Sequence, residues 1–172
     1  GEVLGLSGLV GARRTEIAET LFGLRAPSSG SLMLEGREVS FLSSTEAIAA
    51  GISLVPESRK EQGLVLGMTC RDNLTLSVID KLSWLGIFMD ARKEDEVWRR
   101  YHRQLAIKTP SGSHVVGNLS GGNQQKIVIG KWLETKPKLL ILDEPTRGID
   151  VGSKSEIHRL IRELAQAGYG VL

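Results

Sequence analysis

The 172-residue sequence is poor in several residue types, and each scarcity excludes a class of protein. Cys70 is the single cysteine, which rules out a disulfide framework and a cysteine-based metal site. Aromatic residues make up 5% of the chain and offer few platforms on which nucleic-acid bases could stack. Lys and Arg number 22 against 20 Asp and Glu, so the formal net charge is only +2. We therefore expect no nucleic-acid partner.

The sequence also lacks a long apolar run and a typical beginning. No apolar stretch approaches the roughly 18 residues that span a bilayer. Gly1-Glu2-Val3-Leu4 has no basic region of the kind that opens a signal peptide. Position 1 is not Met, and the last residues, Gly170-Val171-Leu172, fall within an expected strand. We expect a cytosolic, reducing setting and interpret the chain as a piece of a longer protein.

What is present indicates an α/β protein. With 41% hydrophobic and 24% charged residues, the chain is large enough for one globular domain with a hydrophobic core and a small appended subdomain. Strands are expected at 3–7, 31–34, 52–55 and 139–143 and from 169 onward. Helices are expected after Thr15, near 45–50, after Ser120 and at 153–167. This alternation predicts a parallel sheet.

The middle of the chain differs from this pattern and predicts an inserted α-helical subdomain. A helix is expected to open near Asp72 and run to Ile79. A second, highly charged helix is expected from Ala91 to Leu105, where apolar residues form one stripe. The stripe consists of Val97, Trp98, Tyr101 and Leu105. We divide the chain into a first core part (1–67), the helical subdomain (68–118) and a second core part (119–172).

One segment, Leu119–Lys126, is a polar turn that opens a helix. Ser120, Gly121 and Gly122 lie at the expected helix start, where unpaired N–H groups and partial positive charge suit a phosphate. The alternative is an N-cap serine followed by residues that form helices poorly. Because two glycines lower helix propensity, a close backbone approach to a ligand explains them better.

A second segment, Leu139–Thr146, is a buried strand that ends in Asp143 and Glu144. A strand-end Asp suits Mg²⁺, and the neighbouring Glu could position or deprotonate a water molecule. Asp150 adds a third carboxylate one short loop away. The alternative is an ordinary buried strand that reaches a solvated loop.

A third segment, Gly8–Thr15, lies between an expected strand and helix, where a phosphate-binding loop would lie. Of the pattern G-x-x-x-x-G-K-[ST], Gly8 and Thr15 match, but Arg13 replaces the inner Gly and Arg14 the Lys. A side chain at position 13 costs about 1–2 kcal/mol if the backbone there is left-handed. Arg14 keeps the charge on a wider, planar group. Taken alone, the loop also fits an ordinary glycine turn.

Together these segments resemble the ATP-binding cassette (ABC) ATPase family over essentially the whole chain. Leu119–Lys126 matches the family's signature sequence and Asp143-Glu144 its Walker B carboxylates. The resemblance is closer to the second cassette of tandem ATP-binding subunits of ribose-, galactose- and arabinose-type importers. The narrower match consists of Gly8-Leu9-Val10-Gly11-Ala12, Arg14-Thr15-Glu16, 56–60, 63–68, 123–126 and 145–152. Those second cassettes carry Arg in place of the P-loop Lys, whereas Arg13 departs even from them.

The resemblance implies a P-loop α/β fold, ATP and Mg²⁺ as cofactors, and an ABC-type ATPase activity. Thr15 would hold Mg²⁺, Asp143 would reach it through water, and Glu144 would act on the attacking water. Glu57 stands where most cassettes have a Gln that links the metal site to the membrane partner. The implied nucleotide-binding residues are Gly8, Gly11, Ala12, Arg13, Arg14, Thr15, Glu57, Ser120, Gly121, Gly122, Gln124, Asp143 and Asp150.

The resemblance also implies partners and a location. Two cassettes of one polypeptide would pack head to tail, beside transmembrane permease subunits and, indirectly, a periplasmic sugar-binding protein. The protein would lie at the cytoplasmic face of the membrane, and no residue of this chain would touch the sugar. Ser120, Gly121 and Gly122 would serve the first cassette's ATP, and the altered loop would serve the chain's own. We expect unequal sites and a fragment that is weakly active or inactive alone. The alternatives are a non-hydrolysing regulatory cassette and a soluble ABC ATPase of DNA repair or translation.

Overall fold

The computed structural model describes residues 1–9, 11–84 and 88–172 of the chain. The strands are β1 (Leu32–Leu34), β2 (Arg37–Val39), β3 (Ile52–Val55), β4 (Ser83–Trp84), β5 (Phe88–Met89), β6 (Leu139–Leu142) and β7 (Gly170–Val171). The α-helices are α1 (Arg14–Leu21), α2 (Ser44–Ala50), α3 (Cys70–Thr75), α4 (Ile79–Leu82), α5 (Ala91–Gln104), α6 (Gly121–Leu133) and α7 (Val151–Gln166). Short π- and 3₁₀-helical turns lie at Arg59–Gly63, Leu76–Val78 and Val116–Asn118. Val10, part of the expected nucleotide loop, lies outside the described residues.

A parallel sheet with the strand order β3-β6-β7 forms the centre of the fold, as predicted. Its two main strands carry apolar side chains on both faces. Leu54 and Ile141 join a cluster with α1 and α2, whereas Val55 and Leu140 join a larger cluster beneath the other helices. Successive side chains of a strand point to opposite faces, so a strand covered on both sides is apolar throughout.

The expected first strand at 3–7 is wrong in extent. Val3 makes only an isolated parallel bridge to Val171, where the Leu4 amide donates to the Val171 carbonyl at 2.8 Å.

The helical region packs against the sheet through the predicted stripe. Val97, Trp98, Tyr101 and Leu105 are all buried, and they share one cluster with Leu140 of the sheet. The helices and the sheet therefore have a continuous core, and the subdomain boundaries at 68 and 118 stay a prediction.

Side-chain caps set the helix starts that the sequence pattern misplaced. Thr69 and Asp72 form a capping box, so α3 begins at Cys70, close to the expected start near Asp72, but it ends at Thr75 instead of Ile79. The Asp150 carboxylate accepts from the Ser153 amide at 2.9 Å, and α7 therefore begins at Val151, two residues before the expected start. Among the described residues, no helix combines the length and apolar character needed to cross a membrane.

Candidate nucleotide site

The loop before α1 contains the left-handed backbone that would be costly for Arg13. Arg13 lies at φ 60° and ψ 31°, in the left-handed region that a non-glycine residue enters at a cost. Gly11 is also left-handed, with φ 87°, and no atom lies within 4 Å of the position that a Cβ would take there. Helix α1 receives no side-chain cap. Its first N–H groups are therefore available to an anion.

A cavity of about 370 Å³ opens at this loop and brings most of the expected nucleotide-loop residues together. It is lined by Gly11, Ala12, Arg13, Arg14, Thr15, Glu16, Glu57, Glu144 and Arg147. Gly8 does not line it. A Cβ at Gly8 would lie 2.9 Å from the Ala12 Cβ, so this glycine serves the tight path of the loop.

The charges around the cavity are paired across the sheet edge. The Arg14 Nη2 donates to the Glu144 Oε1 at 3.0 Å, with about a third of each side chain in solvent (30% and 42%). Glu57 forms a second ion pair, with Arg147. The Glu57 carboxylate brings a negative charge to the cavity, and Arg147 neutralises it. That cation comes from the loop after β6, far from Glu57 in sequence.

Thr15 and Asp143 line a neighbouring cavity of about 270 Å³, together with Glu57. The Asp143 amide donates to the Val55 carbonyl at 3.0 Å, which fixes the start of the loop after β6. A hydroxyl and a carboxylate are oxygen ligands of the kind that Mg²⁺ prefers, and Mg²⁺ usually completes its shell with water and phosphate oxygens. The residues present therefore fit a magnesium ion that binds together with a nucleotide. No cluster of three or more His, Cys, Asp or Glu side chains suited to a metal occurs within the ranges the structure describes.

The signature turn, which consists of Ser120, Gly121 and Gly122, lies at the start of α6, and its serine is exposed. Ser120 occupies the N-cap position, yet its side chain accepts no backbone hydrogen bond. Its Oγ instead accepts from the Asn123 Nδ2 at 3.0 Å. Capping by this hydroxyl thus does not account for the serine.

The two glycines of the turn are packed within the chain. A Cβ at Gly122, which is buried, would lie 2.6 Å from the Ser153 Cβ of α7. A Cβ at Gly121 would lie 2.8 Å from the Arg59 Nη2. Close approach is the right reason for these glycines, but here the approaching groups belong to α7 and to Arg59. A ligand is not needed to explain them.

Two expected nucleotide-binding residues are committed to internal hydrogen bonds. The buried Gln124 donates through Nε2 to the Val116 carbonyl at 3.2 Å. Asp150 caps α7, and the Ser153 amide that it accepts from holds the pKa of its carboxyl below the usual value. Both side chains hold the loops around the site in place.

Arg59 and Arg147 are functional candidates to which the sequence reasoning gave no role. Both are near the carboxyl ends of β3 and β6, where two parallel strands bring Glu57 and Glu144 together. Acidic side chains at adjoining strand ends need counter-charges. Arginines in the same loops were the signal that could have identified them.

Comparison with known proteins supplies the family context. The profile described as ABC transporter matches residues 1–147. The chain is 52% identical to a putative ribose/galactose/methyl galactoside import ATP-binding protein of Rhizobium etli, and 46% identical to an arabinose import ATP-binding protein of Burkholderia ambifaria. All 172 residues are covered in both comparisons, against 33% of either relative. The chain thus spans about a third of the length of the curated relatives it matches.

Solved structures show the same fold. A nucleotide-free ATP-binding cassette from an ABC transporter superposes with a TM-score of 0.79 at 21% identity, covering 94% of this chain and 65% of that one. The cassette MJ0796, in a dimeric post-hydrolysis state bound to ADP and Pi, gives a TM-score of 0.76 at 20% identity, covering 95% and 69%. At such identities the similarity concerns the fold alone.

Proposed function

The chain belongs to the ABC transporter family, and on that premise we propose that it is a nucleotide-binding cassette of a sugar importer. It binds and hydrolyses ATP to drive uptake of a sugar of the ribose, galactose or arabinose type. One observation carries the proposal. The loop Gly11–Thr15 and Glu144, the second Walker B carboxylate, line a single cavity at the carboxyl ends of parallel strands. The names of the sugar-import relatives support the substrate class.

We further propose that the chain is the second, C-terminal cassette of a two-cassette polypeptide. The Arg at position 14 and the remaining subgroup motifs support this position, as does the length of the relatives. Ser120, Gly121 and Gly122 then face the ATP held by the first cassette's loop. The protein lies at the cytoplasmic face of the membrane beside its permease subunits. The exposed Val65 and Leu66 make the surface after Glu57 the proposed permease contact.

The residues of this chain divide the chemistry among them. Backbone N–H groups of the Gly11–Thr15 loop and the Arg14 guanidinium bind phosphate oxygens. Thr15 and Asp143 would hold Mg²⁺, and the ion, when bound, would neutralise developing charge on the phosphates. Glu144 accepts a proton from the attacking water or orients it. Before it does so, Glu144 has to leave Arg14, since the two form an ion pair.

The two shared sites are unequal in this proposal. In the signature half, Ser120 is exposed and does not cap α6, whereas the P-loop half contains a left-handed Arg13 and an Arg14 bound to Glu144. A strained loop and a pre-formed ion pair both oppose phosphate binding. This chain therefore supports hydrolysis at its partner's site better than at its own.

Single substitutions in the two-cassette protein, assembled with its permease, test both statements. We expect Ser120→Ala to lower ATP turnover more than Thr15→Ala, while Ser28→Ala, in an exposed turn, leaves it unchanged. Equal losses from the first two variants would contradict unequal sites. If Glu144→Gln leaves steady-state turnover unchanged, the chain is a non-hydrolysing scaffold cassette instead. Salt-dependent binding to nucleic acid without transport would favour the DNA-repair or translation alternative.

A further inference from the structure

The Arg59 side chain reaches from the turn after β3 into the loop after β6. Its Nη1 donates to the Arg147 carbonyl at 2.7 Å, and its Nη2 donates to the Gly148 carbonyl at 2.9 Å. Gly148 has a left-handed φ of 62°, so this stretch of backbone has an unusual path that two charged hydrogen bonds hold in place. The loop that begins at Asp143 is therefore held in place by a side chain from another loop.

The same guanidinium contacts the start of the signature helix. Its Nε donates to the Gln124 Oε1 at 3.4 Å, and its Nη2 packs against Gly121 so closely that a Cβ there would lie 2.8 Å away. Gln124 extends the connection by donating to the carbonyls of Val116 and Gly117. One side chain thus joins three segments that are distant in sequence.

We propose that Arg59 is a positioning residue that fixes the position of the signature turn relative to the Walker B loop, the loop that begins at Asp143 after β6. The signature turn serves the partner's ATP and the Walker B loop serves this chain's own. Arg59 therefore makes the geometry of one shared site depend on the geometry of the other. The inference rests on the proposed function and adds to it a residue that touches neither nucleotide. The neighbouring Glu57–Arg147 ion pair ties the same two loops and supports the arrangement.

An arginine suits this task because its planar group directs several N–H donors along fixed directions at once. Lysine has a single ammonium on a flexible stem and cannot span the Arg147 and Gly148 carbonyls and the Gln124 amide together. The charge alone is thus not the useful property. Lys60, the next residue, carries the same charge, but its side chain is exposed and makes no hydrogen bond or ion pair within the described part of the chain.

The first experiment measures ATP hydrolysis by the full-length subunit assembled with its permease. We expect Arg59→Ala to lower kcat on the order of tenfold or more, the size expected for losing a charged hydrogen-bond pair, with KM for ATP nearly unchanged. Arg59→Lys recovers little of this loss, and Arg162→Ala, at an exposed position of α7, stays near wild type. A KM that rises in step with the fall in kcat would assign Arg59 to nucleotide binding. Full activity of Arg59→Lys or of Arg59→Ala would also overturn the proposal.

A double-substitution cycle separates positioning from ligand contact. Gly121→Ala pushes the guanidinium aside, so part of its effect on kcat should vanish when Arg59 is already Ala. Fully additive losses would mean that Gly121 acts on the partner's ATP without any dependence on Arg59, against the proposal. If Arg59→Ala does not fold, Arg59→Lys takes its place in the cycle. Absence of hydrolysis in the wild-type complex would instead refute the proposed function, so the two failures are distinguishable.

Discussion

Replacing Arg13 with glycine should stabilise the chain, because Arg13 pays for a left-handed backbone with no compensating contact. Its φ is 60°, its side chain is exposed, and it has no hydrogen bond or ion pair through its side chain in the described ranges. The left-handed conformation costs a non-glycine residue about 1–2 kcal/mol. Glycine removes that cost but loses about 0.5–1 kcal/mol of backbone entropy. We expect Arg13→Gly to gain about 0.5–1 kcal/mol, or roughly 1–4 °C in Tm.

Lys136→Gly provides a matched control. Lys136 is also exposed and left-handed, with φ 58°, but it follows α6 far from the nucleotide loop. Urea unfolding should show a similar gain for both variants, whereas binding of a fluorescent ATP analogue should tighten only for Arg13→Gly. Stabilisation by Lys136→Gly alone would refute the reasoning, since it would mean that the Arg13 side chain contributes as much as its backbone costs. Equal nucleotide affinity of the two variants would contradict an obstructing role of Arg13 in phosphate binding.

Two further predictions concern the helix α6 and its surroundings. Burial lowers the pKa of Lys131 from 10.5 to about 8, although its Nζ donates to the Gly63 carbonyl at 2.5 Å. Between these values the unfolded chain binds this proton and the folded chain does not, so Lys131 should add about 3 kcal/mol to the free energy of unfolding from pH 8 to 10.5. In urea titrations the difference in stability between the wild type and Lys131→Met should change by that amount over this range. Gly122→Ala should lower the stability of the fold by about 1–3 kcal/mol, because the added methyl group overpacks against Ser153. Adding Ser153→Gly to the same protein should recover stability. Gly67→Ala, at an open position, should have little effect on Tm.

The regular elements of the core could be predicted because local patterns determine them. The apolar run Leu139–Leu142 predicts a buried strand, and the spacing of the stripe on α5 predicts a helix that is apolar on one side. The prediction failed at boundaries, where a single cap decides. Asp150 moved the start of α7, because a side-chain hydrogen bond to an amide outweighs the weak propensity of the residues beyond it.

The candidate site was predictable in membership but not in pairing. Arg14, Thr15 and Glu144 are recognisable from motif spacing, and so is the cost of Arg13. The Arg14–Glu144 pair joins residues 130 positions apart, and the Glu57–Arg147 pair is similarly remote. Such pairings depend on which strands are neighbours in the sheet, and a local sequence pattern carries no information about that.

The bonds of Arg59 have a consequence for loop length. Each residue of extended chain advances the backbone by about 3.3–3.6 Å. A shift of that size is longer than either hydrogen bond from Arg59, 2.7 and 2.9 Å, and would break both. One inserted residue between Val55 and Arg59 would carry the guanidinium beyond both carbonyls, and a deletion would do the same. The exposed turn 27–30 has no comparable constraint. A peptide tag or a reporter domain is therefore tolerated in that turn, whereas the spacing after β3 accepts no change.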